Sequence, residues 1–91
     1  MITETQKQQT RERIGQRIAA LRKLRNWSQE ELAHFAGMQR SHISRIEVGK
    51  YAPNIDTLQA IAEALDMTVD IIDPALSDLA PLKTLTPAKD N

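Results

Sequence analysis

Four hydrogen-bonding side chains, none of them acidic, fall on one side of a short helix predicted from about Gln39 to Val48. At about 100° per residue, Ile43 and Ile46 lie together on the opposite side and should pack inward. The outward side carries Arg40, Ser41, Ser44 and Arg45. Arginine can donate two parallel hydrogen bonds to guanine O6 and N7, and serine can donate to or accept from several base edges. This face therefore predicts contacts with the base pairs of a DNA duplex.

Residues suited to phosphate contacts lie beside that face. Gln29 is predicted to be the first residue of the preceding helix, where its backbone N–H and its side-chain amide could both reach a phosphate. Lys50 follows the predicted helix and is expected to contact the DNA backbone. His42 lies at the flank of the helix, where we expect it to face a phosphate or solvent rather than a base.

A capping signal and two glycines define the short helices that must position these side chains. Ser28 and Glu31 have the spacing of a capping box, in which each side chain satisfies the backbone N–H of the other. Gly37 ends that helix after about two turns, and Gly49 ends the next one. Two short helices joined by a glycine-containing turn form a helix-turn-helix motif, whose second helix enters the major groove.

Two longer amphipathic helices are predicted to flank this motif. The buried face of the first, which should end near Asn26, is expected to be Ile14, Ile18, Leu21 and Leu24. The buried stripe of the other, which begins at Asn54 and ends at Asp66, is expected to be Ile55, Leu58, Ile61, Ala62 and Leu65. Within the helix-turn-helix itself, either Phe35 or Ala36 should complete the buried side of the first short helix.

The ends of the chain are more ambiguous. Residues 68–72 fit a short fifth helix capped by Thr68, but the alternation of Met67, Val69 and Ile71 with their neighbours also fits a short strand. Residues 1–10 are polar and glutamine-rich, and residues 74–91 contain three prolines. We therefore predict a flexible N-terminal arm over 1–10, one domain over 11–73 and a flexible C-terminal tail over 74–91.

The composition restricts the function classes. The net charge is zero, yet residues 1–50 hold ten basic and five acidic residues, and residues 51–91 hold two and seven. Such a chain can present a cationic face to an anionic polymer. The absence of cysteine excludes disulfides and thiolate metal sites. With no membrane-length apolar run and no signal-peptide pattern, we expect no membrane partner and a cytoplasmic location.

Two long segments form one continuous pattern that covers roughly two-thirds of the chain. They are IGQRIAALRKLRNWSQEELAHFAGMQRSHISRIEVGK and, after a short loop, PNIDTLQAIAEALDMTVDII. From Ile14 to Ile72 this pattern resembles the phage Cro/repressor-type helix-turn-helix family, also called the XRE family. The resemblance implies an all-α, compact five-helix bundle of the lambda-repressor-like type. It also implies a homodimer that binds an inverted-repeat operator.

The resemblance assigns roles to individual positions as well. The residue matching Gln29 typically holds a backbone phosphate, and Gln39 joins the four outward residues as a base-facing position. Arg22 and Glu47 are implied to form an internal salt bridge between the first helix and the DNA-facing helix. We therefore interpret Arg22 as structural.

These observations favour a sequence-specific regulator of transcription, first of all a repressor, that binds double-stranded DNA. We expect two chains to pair through the C-terminal part of the domain. The expected dimer residues are Val69, Ile71 and Ile72. The alternative is an antitoxin that neutralises a toxin partner and also regulates its own operon, and the strand-like residues 67–72 favour it.

An enzyme is not expected. His34 and His42 lack metal-ligand spacing with a third residue, and the chain contains neither a nucleophile motif nor a phosphate-binding glycine loop. No cofactor and no metal are expected.

Overall fold

Five α-helices make up the regular structure of residues 3–50 and 52–72, the part of the chain that this computed structural model describes. They are α1 (Glu4–Leu24), α2 (Gln29–Ala36), α3 (Arg40–Glu47), α4 (Ile55–Ala64) and α5 (Val69–Ile72). The predicted all-α, five-helix fold is confirmed. The tail predicted over 74–91 lies outside the described residues.

The first helix begins at Glu4, inside the segment 1–10 that was predicted to be a flexible arm. Thr3 caps it, because its side chain accepts a hydrogen bond from the Gln6 N–H at 3.1 Å while the Gln6 side chain accepts from the Thr3 N–H at 2.8 Å. This reciprocal pair is a capping box. Residues 4–10, which were assigned to a flexible arm, are therefore the first turns of α1. The glutamine-rich composition suggested a flexible segment, so the capping signal of Thr3 and Gln6 was not recognised in the sequence.

The ambiguous segment near the C-terminus is a helix rather than a strand. Val69 and Ile72 are both buried, at 2% and 1% exposure. A separation of three residues puts two side chains on the same side of a helix, whereas it would put them on opposite faces of a strand. The strand alternative was wrong because the core beneath α5 needs both side chains at once.

One apolar core joins the five helices. Its members are Ile14, Ile18, Leu21, Leu32, Ala33, Ile43, Ile46, Leu58, Ile61, Ala62, Leu65, Val69 and Ile72. Leu24 and Ile55 were predicted to belong to it, but they are 78% and 39% exposed. Leu24 is the last residue of α1 and Ile55 the first of α4, so each lies at a helix end. On α2, Ala36 is half-buried and Phe35 is exposed.

Four helices end in the same way, with one residue in the left-handed region. These residues are Asn26, Gly37, Gly49 and Asp66, with φ of +61°, +70°, +79° and +61°. After α4, for example, the Met67 N–H donates to the Ala62 carbonyl at 2.8 Å and the Asp66 N–H donates to the Glu63 carbonyl at 3.0 Å. This double hydrogen bond is the Schellman motif, which reverses the chain within a few residues. It lets successive short helices pack against one another.

Replacing Asp66 by glycine is expected to stabilise the fold. A non-glycine residue in the left-handed region costs about 1–2 kcal/mol. Glycine removes that cost but increases the entropy of the unfolded chain by about 0.4–1 kcal/mol. Loss of a negative charge at a helix C-terminus adds to the gain. We expect thermal denaturation to show a melting temperature raised by several degrees, with a smaller rise for Asn26→Gly because asparagine tolerates this conformation. A lower melting temperature for Asp66→Gly would contradict this account.

Candidate nucleic-acid interface

A turn of three residues, 37–39, joins α2 to α3 and sets the angle between them. Leu32 and Ala33 of α2 and Ile43 and Ile46 of α3 are all buried, between 0% and 3% exposed. The inner sides of both helices are thus held by the common core. The other side of α3 is left facing solvent.

The residues predicted to contact bases share this outer side of α3. Gln39, Arg40, Ser41 and Arg45 are exposed, and Ser44 is half-buried. Within the described part of the chain, the side chains of Arg40 and Arg45 take part in no hydrogen bond and no ion pair. Two guanidinium groups without an internal partner, next to two hydroxyl groups, form a surface suited to an anionic, hydrogen-bonding ligand.

A buried ion pair connects α1 to the C-terminal turn of α3. Arg22 Nε lies 2.8 Å from Glu47 Oε2, and Arg22 Nη2 donates to Glu47 Oε1 at 3.0 Å. The two side chains are only 10% and 6% exposed. This two-pronged hydrogen bonding by Glu47 raises the pKa of the Arg22 guanidinium above its ordinary value, against the opposing effect of burial. The structure therefore contains the salt bridge that the resemblance implied.

The ion pair is the centre of a wider network that the sequence did not predict. Gln29 Nε2 donates to Glu47 Oε1 at 2.9 Å, and Arg22 Nη1 donates to the Trp27 carbonyl at 2.7 Å. Gln29, predicted to contact a phosphate, thus has one amide hydrogen committed to Glu47, and its second amide hydrogen remains for a ligand. Eighteen residues separate Gln29 from Glu47, so no local spacing in the sequence could reveal the contact.

Two glycines allow α1 to lie directly against α3. A Cβ atom on Gly15 would lie 2.3 Å from the Ile46 carbonyl oxygen and 2.6 Å from that of Glu47. A Cβ atom on Gly49 would lie 2.8 Å from Glu12 Cγ. These approaches leave no room for a methyl group. α1 therefore packs directly against the backbone of Ile46, Glu47 and Gly49 at the end of α3.

Arg17 of α1 and Arg25, which directly follows α1, stabilise the fold instead of adding to the surface of α3. Arg17 Nε donates to the Ile71 carbonyl at 3.0 Å, and an Arg25 Nη group donates to the Leu65 carbonyl. Both carbonyls lie at helix C-termini, where cationic groups are favourable. Arg25 also lies 5.7 Å from the centroid of the Trp27 ring. The basic excess of the first half of the chain is thus divided between structural and surface roles.

The other residues predicted to contact phosphate lie at the edge of the α3 surface. Lys50 is exposed immediately after the helix. His42 is half-buried and has an interaction within the protein.

The predicted dimer residues need a correction. Val69 and Ile72 belong to the core of a single chain, and only Ile71 is exposed, at 39%. Side chains that fill the core of one chain cannot also fill a contact between two. The error arose because all three residues are apolar, and the sequence does not show which of them faces inward.

Two other kinds of site find no support in the described residues. No helix there is both long enough and apolar enough to cross a membrane. Residues 3–50 and 52–72 also contain no cluster of three or more metal-binding side chains.

The geometry of α2, the turn and α3 defines a helix-turn-helix: two short helices, the second presenting an uncovered polar face. A helix-turn-helix family model matches residues 18–72. The chain belongs to this family, in its Cro and phage-repressor (XRE) branch.

Similar proteins include regulators from phage and bacteria. The immunity repressor protein of Bacillus phage phi105 is 44% identical over 59 residues, which cover 65% of this chain and 41% of that protein. The transcriptional regulator SinR of Bacillus subtilis is 40% identical over 57 residues, covering 62% of this chain and 51% of SinR. This chain therefore corresponds to less than half of the phage repressor and about half of SinR.

Among solved structures, this chain is similar to the restriction-modification controller protein C.AhdI of Aeromonas hydrophila, with a TM-score of 0.68 and 30% identity. The match covers 69% of this chain and 96% of that one. The clp gene regulator ClgR of Corynebacterium glutamicum has the same fold, with a TM-score of 0.65 at 24% identity.

Proposed function

We propose that this chain is a regulator of transcription, acting as a repressor, that binds double-stranded DNA through α3 and recognises a specific sequence. The observation that carries the proposal is the outer face of α3, where Arg40 and Arg45 have no partner among the described residues. The Arg22–Glu47 pair supports it, because it holds that helix in one orientation. The similar proteins named as repressors or regulators favour a binding protein over an enzyme.

In the proposed complex α3 lies in the major groove and α2 crosses the backbone. Arg40 and Arg45 donate to guanine edges, and Ser41 and Ser44 hydrogen bond to neighbouring bases. The Gln29 backbone N–H, at the start of α2, binds a phosphate and sets the depth of α3 in the groove. A chain bound to a promoter in this way would prevent RNA polymerase from binding there.

Replacing Arg45 by alanine is expected to weaken binding to the preferred site by about 1–3 kcal/mol and to relax preference at one base pair. Lys50→Ala is the matched control, since it removes a cation proposed to contact phosphate. That variant should weaken all sequences alike and reduce the salt slope by about one. The preferred site is first selected from a random DNA pool, and fluorescence anisotropy then gives affinities for this site and for random DNA at several salt concentrations. Equal losses on both DNAs for Arg45→Ala would show that it does not contact bases.

We also propose that two chains bind an inverted-repeat operator as a homodimer, with α3 helices about one turn of DNA, roughly 34 Å, apart. Ile71 supports this proposal, because it is the one residue of the predicted dimer set that remains exposed. An apolar side chain of this size gains free energy when a second chain covers it.

Replacing Ile71 by aspartate is therefore expected to shift the chain from dimer to monomer, because the charge would be buried without a partner. Ile55→Asp is a matched control, since Ile55 has the same 39% exposure but lies on α4. Sedimentation velocity over a range of protein concentrations would measure the effect. A dimer that persists in Ile71→Asp, or that is lost equally in both variants, would refute this interface.

The antitoxin alternative loses the observation that favoured it. The strand-like pattern of residues 67–72 favoured it, because paired C-terminal strands of two chains can build an antitoxin dimer, but residues 69–72 are helical. We therefore do not propose a toxin as the partner.

A further inference from the structure

Val48, the residue that ends α3, has an apolar side chain that the fold leaves uncovered. It is 66% exposed. Its N–H still donates to the Ser44 carbonyl at 3.2 Å, so the backbone keeps its helical path up to this residue. An exposed β-branched residue adds nothing to the core and is a weaker helix former than alanine. The stability of the fold therefore does not explain a valine at this position.

The direction of Val48 places it within the outer face of α3. At about 100° per residue, Val48 points between Ser44 and Arg45, and about 20° from Ser41. The buried Ile46 lies on the opposite side of the helix. Along the helix axis, Val48 lies about 4.5 Å beyond Arg45, at about 1.5 Å per residue. The residues proposed above to contact bases are all polar, so Val48 adds an apolar group to their face.

Both neighbours of Val48 in the chain are held by α1. Glu47 forms the buried ion pair with Arg22. Gly49 packs so closely on α1 that an added Cβ atom would lie 2.8 Å from Glu12 Cγ. The branched side chain of valine itself has few rotamers. Val48 is thus held in place before any ligand binds, and a contact with it would cost little conformational entropy.

We propose that Val48 contacts the 5-methyl group of a thymine and thereby specifies one position of the recognised DNA sequence. The inference rests on the proposed function, in which α3 lies in the major groove. Thymine is the base that presents a methyl group there, and an apolar side chain favours it. Valine has no hydrogen-bonding group and cannot contact a phosphate or the polar edge of a base in the way that Ser44 or Arg45 can. The thymine should lie within about one or two base pairs of the pair contacted by Arg45, since base pairs are about 3.4 Å apart.

The test uses the DNA site selected from the random pool. Each thymine of this site is replaced in turn by deoxyuridine, which lacks only the 5-methyl group, and fluorescence anisotropy gives the affinities. The wild-type chain should bind one of these duplexes about fourfold more weakly, as expected for the loss of one buried carbon group. Val48→Ala should weaken binding to the thymine duplex by a similar factor. It should also bind the thymine and deoxyuridine duplexes alike, because the two changes remove the same contact.

Leu24→Ala is the matched control, since Leu24 is also an exposed apolar residue at a helix end but lies on α1. This variant should keep the wild-type affinities and the wild-type difference between thymine and deoxyuridine. Val48→Ala should melt at or slightly above the wild-type temperature, because alanine is the better helix former.

Three results would overturn the proposal. In the first, no deoxyuridine replacement weakens binding of the wild-type chain. In the second, Val48→Ala distinguishes thymine from deoxyuridine as well as the wild type does, so that another residue contacts the methyl group. In the third, Val48→Ala weakens binding to the selected site and to random DNA equally, which would place Val48 against the sugar–phosphate backbone.

Arg45→Ala, measured on the same duplexes, separates this proposal from the proposed function. If Arg45→Ala relaxes preference at its own base pair while Val48→Ala has no effect on the thymine, α3 contacts bases and only the role of Val48 is wrong. If Arg45→Ala loses affinity equally on selected and random DNA, the proposed function is wrong as well.

Discussion

Replacing Glu47 by alanine is expected to lower the free energy of unfolding by about 3–5 kcal/mol, because Arg22 would keep its charge in a buried site without an anionic partner. Both side chains of the pair are at most 10% exposed, so solvent cannot take over the lost contact. Gln29 would lose its hydrogen-bond acceptor in the same step. Since domains are stable by only about 5–15 kcal/mol, this is the largest single effect that we expect in the chain.

Urea unfolding followed by circular dichroism would measure this loss. Glu63→Ala removes an exposed glutamate from α4 and should change the stability by less than about 0.5 kcal/mol. Adding Arg22→Met to Glu47→Ala removes the uncompensated charge and should restore part of the loss. If Glu47→Ala unfolded at the wild-type urea concentration, the ion pair could not be what holds α3 against α1.

Replacing Gly15 by alanine is expected to destabilise the fold by at least about 2 kcal/mol, although alanine is the better helix former by about 1 kcal/mol. The added methyl group would lie 2.3 Å from the Ile46 carbonyl oxygen. The obstacle is backbone on both sides, so no side-chain rotation can relieve the clash. The two helices would have to move apart, which would also strain the ion pair next to them.

Gln16→Ala is the matched control for this substitution, since Gln16 is the exposed neighbour of Gly15 on the same helix. Its stability should stay constant or rise slightly, in line with helix propensity. Thermal and urea denaturation of both variants would separate propensity from packing. A Gly15→Ala protein as stable as Gln16→Ala would mean that α1 and α3 can separate at little cost.

The two substitutions have a common consequence for DNA binding. Gly15 and Glu47 both act on the last turn of α3, and neither is proposed to contact DNA. A shift of this turn would move Arg45 relative to the bases. We therefore expect residual folded protein of either variant to lose preference for the selected site more than affinity for random DNA.

The amino-acid sequence by itself determined the local parts of this protein. The Ser28–Glu31 capping box, the Asn54 cap and the left-handed residues that end the helices depend on contacts between near neighbours, and the structure contains them. Helical periodicity placed Ile43 and Ile46 inside and the polar residues of α3 outside. Such features can be predicted from sequence because the residues that interact lie within three or four positions of each other.

Only the tertiary structure decided which side chains are covered or contacted by residues far away in the sequence. Helical periodicity assigned Leu24 to the core and did not decide whether residues 68–72 form a helix or a strand. In the packed structure Leu24 is exposed, and Val69 and Ile72 are both buried. The hydrogen bond from Gln29 to Glu47 joins positions 18 residues apart, and the one from Arg17 to the Ile71 carbonyl joins positions 54 residues apart. Such contacts arise from helix packing angles, and the packing angles are set by the whole core. The sequence pattern thus locates the face proposed to contact DNA, and the packing of α1 against α3 determines how firmly that face is held.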